Sequence, residues 1–88
     1  MYAVEFTLEA ENDLSRLSKA VAQRILKKIR WLAENFAAVT PEPLTGSFKG
    51  LYKLRVGDYR VLYTFSQDEQ EVITIHLIKH RREVYKNK

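Results

Sequence analysis

Three cations in the second half of the chain have the types and spacing that phosphate binding requires. Lys53, Arg55 and Arg60 lie in the stretch 51–63, on either side of the dipeptide Gly57-Asp58. Arginine suits phosphate because its planar guanidinium group donates to two phosphate oxygens at once. Basic residues are also common on solvated strand faces without a ligand. The pattern alone therefore favours a phosphate-binding site and a plain solvated face equally.

A tight β-hairpin is the element that would hold these cations together. A Gly-Asp dipeptide between two alternating segments is typical of a two-residue turn, which also fixes the pairing of the strands. The predicted pairs are Tyr52 with Tyr63, Lys53 with Leu62, Leu54 with Val61, Arg55 with Arg60 and Val56 with Tyr59. Since side chains alternate between the faces of a strand, the three cations share one face and the other face packs on a core. The repulsion between Arg55 and Arg60 is a cost that a bound polyanion would remove.

The first half of the chain predicts a strand and two helices. Residues 2–6 alternate as a short strand, and Thr7 and Ser18 are suited to cap helices over 8–17 and 19–36. Apolar residues recur at three- and four-residue spacing in the second helix, as they do in a helix that packs on a sheet. The pattern therefore predicts a helical hairpin that covers one side of the sheet.

The last strand is predicted over residues 71–79. Continuing the core face from the hairpin places His76 opposite Arg60. The same parity directs His80 toward the basic face and Lys79 toward the core, unless twist or a bulge at the strand end redirects Lys79. His76 is interpreted either as a polar strand residue, the commoner case, or as a catalytic group.

Two irregular segments flank these elements. Residues 37–50 contain both prolines and predict a connecting loop. Residues 79–88 form a tail that is dense in cations and has Val84 as an apolar anchor. Such tails are often only solubilising, but this one begins beside the basic face of the sheet and could extend it.

The second helix carries another group of cations on its polar face, including Arg24, Lys27 and Lys28. This face is either a second nucleic-acid surface or, as is commoner, a plain solvated face, because no aromatic residue interleaves with these cations. Trp31 is interpreted as packing at the edge of the apolar stripe or as part of a partner-binding surface.

Size and composition indicate a small basic domain. The 88 residues are 45% hydrophobic, which suffices for one core, so residues 1–88 are taken as a single domain. With no Cys and only two His, the sequence predicts no disulfide, no metal site and no other cofactor. A net charge of +4 favours nucleic acid or an acidic protein as partner.

Neither a signal peptide nor a membrane span is evident. The start Met-Tyr-Ala-Val-Glu-Phe lacks a basic region and a long apolar region, and no apolar run reaches membrane-spanning length. We therefore expect a cytoplasmic protein without a membrane partner.

Two segments carry a resemblance to a known family. Gly50-Leu-Tyr-Lys-Leu-Arg-Val-Gly-Asp-Tyr-Arg-Val-Leu-Tyr63 and His80-Arg-Arg-Glu-Val-Tyr85 resemble toxins of the RelE/ParE superfamily of type II toxin–antitoxin systems, the RelE-like members above all. The likeness extends to Ala10-Glu-Asn-Asp-Leu14 and Trp31-Leu-Ala-Glu-Asn35, and thus to nearly the whole chain. It implies the α+β, β-α-α-β-β-β RelE-like fold, in which an antiparallel sheet packs on a helical hairpin.

The resemblance also implies an activity and partners. RelE-like toxins are ribosome-dependent endoribonucleases, or mRNA interferases, that cut mRNA and inhibit translation. The implied partners are a cognate antitoxin, which silences the toxin, and the ribosome with its mRNA. ParE-like members of the superfamily are instead non-catalytic inhibitors of DNA gyrase, and that function is the alternative.

The functional residues implied by the resemblance fall into two groups. The positions implied as catalytic are Lys53, Arg60, Arg81 and Tyr85. The positions implied as RNA-binding are Lys49, Arg55, Lys79, His80 and Arg82, and no metal ligand is implied. The site then depends on these cations lying together on one side of the sheet.

Each catalytic position has an expected role in metal-free RNA cleavage. Like-charge neighbours would lower the pKa of a lysine, which makes Lys53 a candidate general base. Arg60 would bind the phosphate charge and Tyr85 would stack on or orient a base. Either Arg81 or Lys79 would stabilise the leaving group, with His80 as a candidate acid. Leu51 stands where the best-known RelE-like enzymes have a second lysine, so the general base stays open, with Lys49 as a substitute.

Overall fold

A five-stranded sheet carries the fold in the computed structural model, which describes residues 1–85. The strands are β1 (Ala3–Phe6), β2 (Glu42–Pro43), β3 (Tyr52–Val56), β4 (Tyr59–Ser66) and β5 (Val72–His80), and the helices are α1 (Leu8–Ser15), α2 (Lys19–Asn35) and α3 (Arg81–Tyr85). Across the sheet the strands follow the order β1-β5-β4-β3-β2. Residues 86–88, the end of the predicted basic tail, lie outside the described residues.

Both predicted helix caps are present. The Thr7 hydroxyl accepts from the Ala10 N–H at 3.1 Å, and the Ser18 hydroxyl accepts from the Val21 N–H at 3.3 Å. These bonds satisfy N–H groups that have no partner within the helix, so each helix can begin sharply. The predicted helical hairpin is thereby confirmed, although α1 ends at Ser15 rather than at residue 17.

The core lies between α2 and one face of the sheet, which we call the core face. Its buried residues include Ile25, Ile29, Leu32 and Ala33 from α2 and Val61, Tyr63, Ile73 and Ile75 from the strands. The Phe36 ring, directly after α2, lies 4.7 Å from Tyr2, 4.9 Å from Phe65 and 6.2 Å from Tyr63 between centroids. These aromatic contacts fix how α2 crosses the strands.

The hairpin of β3 and β4 has the predicted register at all five pairs, including Arg55 opposite Arg60. The backbone φ at Gly57 is +57°, a conformation that favours glycine and permits the tight turn. Lys53, Arg55 and Arg60 therefore originate on one side of the sheet, which we call the outer face. α2 packs against the opposite, core face.

The fold class is confirmed, but the sheet is mixed rather than wholly antiparallel. β1 pairs parallel with β5, whereas β2, β3, β4 and β5 pair antiparallel. A two-residue turn forces an antiparallel pair, but β1 joins the sheet through the whole helical hairpin, which leaves either direction open. The predicted loop 37–50 also contains β2 and the short 3-10 helix Gly46–Phe48, and it overlaps a second one, Phe36–Ala38.

The predicted register of β5 is wrong. The sheet irregularity on β4 lies between Leu62 and Tyr63, which pair with Leu77 and Ile75, so His76 is left without a partner in the ladder. An extra residue in one strand reverses the side to which all later side chains point. Lys79, not His76, consequently pairs with Arg60, and the bulge brings Lys79 to the outer side, as the stated exception allowed.

The tail residues 81–85 form α3, which was not predicted and which contacts β4 and β5. Val84 is 5% exposed and Leu62, on the outer face, is fully buried, yet neither belongs to the core cluster. Val84 thus anchors the segment as predicted, and α3 covers part of the outer face. None of the helices described is long and apolar enough to cross a membrane.

Candidate functional site

Two cations of the outer face converge on one tyrosine of α3. The Lys53 ammonium donates to the Tyr85 hydroxyl at 2.7 Å, and the Arg60 Nε donates to the same oxygen at 3.4 Å. The cations lie 4.9 Å and 5.8 Å from the centroid of the Tyr85 ring. The two strands of the hairpin and the distant helix α3 therefore meet at the Tyr85 hydroxyl.

The hydroxyl of Tyr85 is more acidic than an ordinary phenol. The hydrogen bond from Lys53 lowers its pKa most, followed by the hydrogen bond from Arg60, because both cations stabilise the phenolate. The Tyr85 hydroxyl thus loses its proton more readily than an ordinary phenol does.

Arg60 is more deeply placed than the sequence suggested. It is 4% exposed, and its Nη1 donates to the carbonyls of Gly57 at 3.0 Å and Tyr59 at 2.8 Å. These bonds hold the hairpin turn and offset the expected repulsion from Arg55, which is exposed. Arg60 therefore has a structural role as well as a place in the site.

The start of α3 is a capping box that places the tail cations. His80 Nδ1 accepts from the Arg82 N–H at 3.1 Å, while the Glu83 carboxylate accepts from the His80 N–H at 3.4 Å. The acceptor role assigns the ring proton of neutral His80 to Nε2. Arg81 is held by Asp58, whose backbone oxygen accepts from the Arg81 N–H at 2.7 Å and whose carboxylate lies 4.0 Å from Nε.

A concavity of about 570 Å³ opens beside Tyr85. It is lined by Arg55, Arg60, His80, Arg81, Arg82 and Tyr85. We call it the arginine concavity; four guanidinium groups and no carboxylate face it, so it suits phosphate groups. Tyr85 also borders a smaller hollow of about 190 Å³, lined by Pro43, Leu44, Thr45, Phe48, Lys53 and Val84.

Two predicted RNA-binding lysines are not brought to the arginine concavity. The Lys79 ammonium pairs with Asp13 of α1 at 3.1 Å, so its charge is neutralised within the fold. Lys49 is exposed at the end of a 3-10 helix and lines neither hollow. The other seven predicted site residues line one of the two hollows.

Asp13 is the residue that sequence reasoning missed. It is 5% exposed, and its carboxylate accepts from the Ile78 N–H at 2.9 Å as well as from Lys79. A signal was present: Asp13 lies at helical spacing within the apolar stripe of Ala10, Leu14 and Leu17. An acid in a buried stripe needs such partners.

Within residues 1–85, no three His, Asp or Glu side chains are grouped as metal ligands would be.

Residues 4–85 match the family model of the ParE toxin of type II toxin–antitoxin systems. The chain belongs to this toxin family. The superfamily resemblance seen in the hairpin and the tail is thereby confirmed.

The toxin is similar to proteins of Mycobacterium tuberculosis that are named toxin RelE and toxin RelG. It is 31% identical to toxin RelE of Mycobacterium tuberculosis over 89% of this chain and 80% of that protein. The structure is similar to the RelBE2 toxin–antitoxin complex of the same organism, with 30% identity, a TM-score of 0.76 and coverage of 91% and 98% of the two chains. The archaeal RelE–RelB complex of Pyrococcus horikoshii is similar at 30% identity, a TM-score of 0.70 and coverage of 91% and 94%.

Proposed function

We propose that this toxin is a metal-independent endoribonuclease that cuts mRNA on the ribosome and so inhibits translation. The observation that carries the proposal is the convergence of Lys53 and Arg60 on the acidified hydroxyl of Tyr85, at the border of the arginine concavity. Relatives named RelE support it. A ribosomal target also implies that the toxin acts in the cytoplasm.

The chemistry needs two proton transfers and stabilisation of charge. The RNA 2′-hydroxyl gives its proton to a general base and attacks the adjacent phosphorus, and the bond from phosphorus to the 5′ oxygen breaks as that oxygen takes a proton from water. A 2′,3′-cyclic phosphate and a 5′-hydroxyl result. Charge grows on the phosphoryl oxygens during the attack, and fixed cations lower the energy of that state.

Tyr85 is the group best prepared to exchange a proton with the RNA. Its lowered pKa brings the phenolate closer to neutral pH, where a general base is most effective. Lys53, the base expected from sequence, instead acts as the cation that holds the phenolate. This assignment replaces a pure stacking role for Tyr85 and supplies the base that Leu51 left open.

The arginines of the concavity then divide the phosphate contacts. Arg55 and Arg82 are exposed and bind the phosphoryl oxygens, with Arg60 behind them. Arg81 rather than Lys79 stabilises the leaving oxygen, because Arg81 lines the concavity, whereas Lys79 is bound to the buried Asp13 and does not line it. His80 contributes through its cap, which fixes where α3 begins.

Cleavage of mRNA on translating ribosomes, with the new ends mapped, tests the proposal. Phenylalanine can stack but cannot exchange a proton, so we expect Tyr85→Phe to lower the single-turnover rate by about 10²-fold or more. Lys53→Met should give a similar loss. The matched control is Lys19→Met, which removes an exposed lysine at the start of α2 and should cleave normally. Unchanged cleavage by the Lys53→Met, Tyr85→Phe double variant would overturn the site.

Gyrase inhibition is the second candidate, because the matching family model is that of ParE. A supercoiling assay with the same preparation separates the two functions. The nuclease proposal expects mRNA cleavage without gyrase inhibition at equal toxin concentration. The opposite pattern would assign the toxin to the ParE-like function.

A cognate antitoxin is the proposed protein partner. The similar structures from Mycobacterium tuberculosis and Pyrococcus horikoshii are toxin–antitoxin complexes. The net charge of the toxin, +4, favours binding of an acidic segment of the partner. Co-expression with the cognate antitoxin should yield a stable complex that no longer cleaves mRNA.

A further inference from the structure

We propose that the groove between α2 and the tip of the hairpin is a second RNA-binding site, in which Trp31 stacks on a base and the surrounding cations hold the flanking phosphates. The proposal rests on the proposed function only in taking RNA as the ligand. It assigns a role to the helical cations and to Trp31, which the Tyr85 site leaves unused.

The groove has the composition of a polyanion site. Its volume is about 450 Å³, and it is lined by Arg24, Lys27, Lys28, Trp31, Arg55, Val56 and Gly57. Four of these residues are cations and none is acidic, so charge alone selects a negative ligand. We call it the tryptophan groove.

Trp31 stands among the cations rather than in the core. It is 42% exposed, and the Lys28 ammonium lies 4.0 Å from the ring centroid in a cation–π contact. A plain solvated face was expected because no aromatic residue interleaves with these cations in the sequence, but in the structure Trp31 lies against Lys28. An exposed indole beside cations is the combination with which proteins bind single-stranded nucleic acid.

The tryptophan groove adjoins the arginine concavity at Arg55. Arg55 lines both the tryptophan groove and the arginine concavity. On the helix side the groove closes against the turn, where a Cβ at Gly57 would lie 3.7 Å from the Arg24 Nη1. A strand of RNA bound at Tyr85 can therefore reach Trp31 by passing Arg55.

RNA fits this groove better than an acidic protein segment does. A nucleotide supplies both a phosphate for the cations and a flat base for the indole ring. Acidic side chains would satisfy the cations but would leave the exposed ring without a stacking partner. The acidic segment remains as an outcome that the experiment can detect.

The intrinsic fluorescence of the toxin tests the stacking directly, because Trp31 is the only tryptophan. In the full-length Lys53→Met, Tyr85→Phe variant, which should bind RNA without cutting it, oligouridine should quench Trp31 by contact. Polyglutamate of equal charge should quench little. Equal quenching by both polymers, or none by oligouridine, would overturn the proposal.

Affinities for labelled oligouridine separate stacking from charge. In the same background, Trp31→Ala should weaken binding by roughly 5- to 100-fold and leave its salt dependence unchanged. Neutralising two phosphate contacts with Lys27→Gln and Lys28→Gln should reduce the slope of log K against log salt by about 1.4. Leu26→Ala is the matched control, since Leu26 is a 40% exposed apolar residue of α2 that lines a different hollow.

The outcomes distinguish this proposal from the proposed function. If the wild-type toxin fails to cut mRNA but oligouridine still quenches Trp31, the nuclease assignment fails and the groove stands. If mRNA is cut but Trp31→Ala binds RNA normally, only the groove fails. Trp31→Phe, which keeps a smaller ring, should recover part of the affinity and shows that a loss in Trp31→Ala is not misfolding.

Discussion

The two arginines that face each other across the hairpin should differ sharply in their effect on stability. Arg60 is 4% exposed and its guanidinium donates to two backbone carbonyls and to Tyr85. Arg55 is exposed, and its side chain has no hydrogen bond or ion pair within residues 1–85. Replacing each arginine by alanine therefore tests whether its hydrogen-bond partners, rather than its residue type, decide how much free energy of unfolding is lost.

The loss of stability expected for Arg60→Ala follows from the hydrogen bonds that the Arg60 guanidinium makes. A hydrogen bond that involves a charged group contributes about 1.5–3 kcal/mol, and the two carbonyls of Gly57 and Tyr59 share one nitrogen of Arg60. Water can reach the emptied space and re-solvate part of the turn. We therefore expect a loss of about 2–4 kcal/mol in the free energy of unfolding, a large part of the total for a small domain.

Arg55→Ala should change the free energy of unfolding by about 0.5 kcal/mol or less, in either direction. It removes an exposed side chain and also relieves the remaining repulsion with Arg60. Urea unfolding followed by circular dichroism gives the free energy of unfolding of each variant. Thermal unfolding is a second measurement, because in a domain of this size each 1 kcal/mol displaces the midpoint temperature by about 4–8 °C. Equal losses in the two variants would refute the reasoning that Arg60 holds the turn.

Two further perturbations test the buried acid and the tyrosines. Asp13→Ala leaves the buried Ile78 N–H without its acceptor and should cost about 1–3 kcal/mol of unfolding free energy, whereas the exposed Asp68→Ala should cost little; equal thermal midpoints would contradict this. In a spectrophotometric titration, Tyr85 should ionise below its ordinary pKa of 10.0 and Tyr63, whose pKa burial raises to about 12, should ionise late. A tyrosine whose pKa is lower in the folded state stabilises that state as pH rises, so Tyr85 should raise the free energy of unfolding up to about pH 10. A tyrosine whose pKa is higher in the folded state has the opposite effect, so Tyr63 should lower the free energy of unfolding between about pH 10 and 12. Tyr85→Phe should delete the early step, and its persistence would assign that step to another tyrosine.

The parts of the fold that sequence predicted correctly are those fixed by neighbouring residues. A two-residue turn at Gly57-Asp58 determines all five pairs of the hairpin, so the placement of Lys53, Arg55 and Arg60 on one face could be read directly. The caps at Thr7 and Ser18 are likewise local, since each bonds an N–H three residues ahead.

The parts that sequence did not predict depend on contacts between distant residues. At His76, the bulge residue of β5, the backbone oxygen accepts from the Thr7 hydroxyl at 3.1 Å, and Asp13 binds the Ile78 N–H nearby. These contacts join the start of the chain to its last strand, and no local pattern around His76 signals them. The bulge in turn placed Lys79, which the parity of the strand had directed toward the core, opposite Arg60 on the outer face.

Some cations of the predicted site have partners in the fold and others do not, and this difference determines which of them can bind a phosphate. The sequence suggested crowded cations that only bound phosphates would relieve, but Arg60, Arg81 and Lys79 already have partners in the fold. Arg55 and Arg82 have none from their side chains within residues 1–85. A phosphate can therefore bind Arg55 and Arg82 without breaking any bond of the fold, while the Lys53, Arg60 and Tyr85 group is already assembled. Because the cost of bringing Lys53 and Arg60 together is met during folding, it does not have to be met from the binding energy of the RNA.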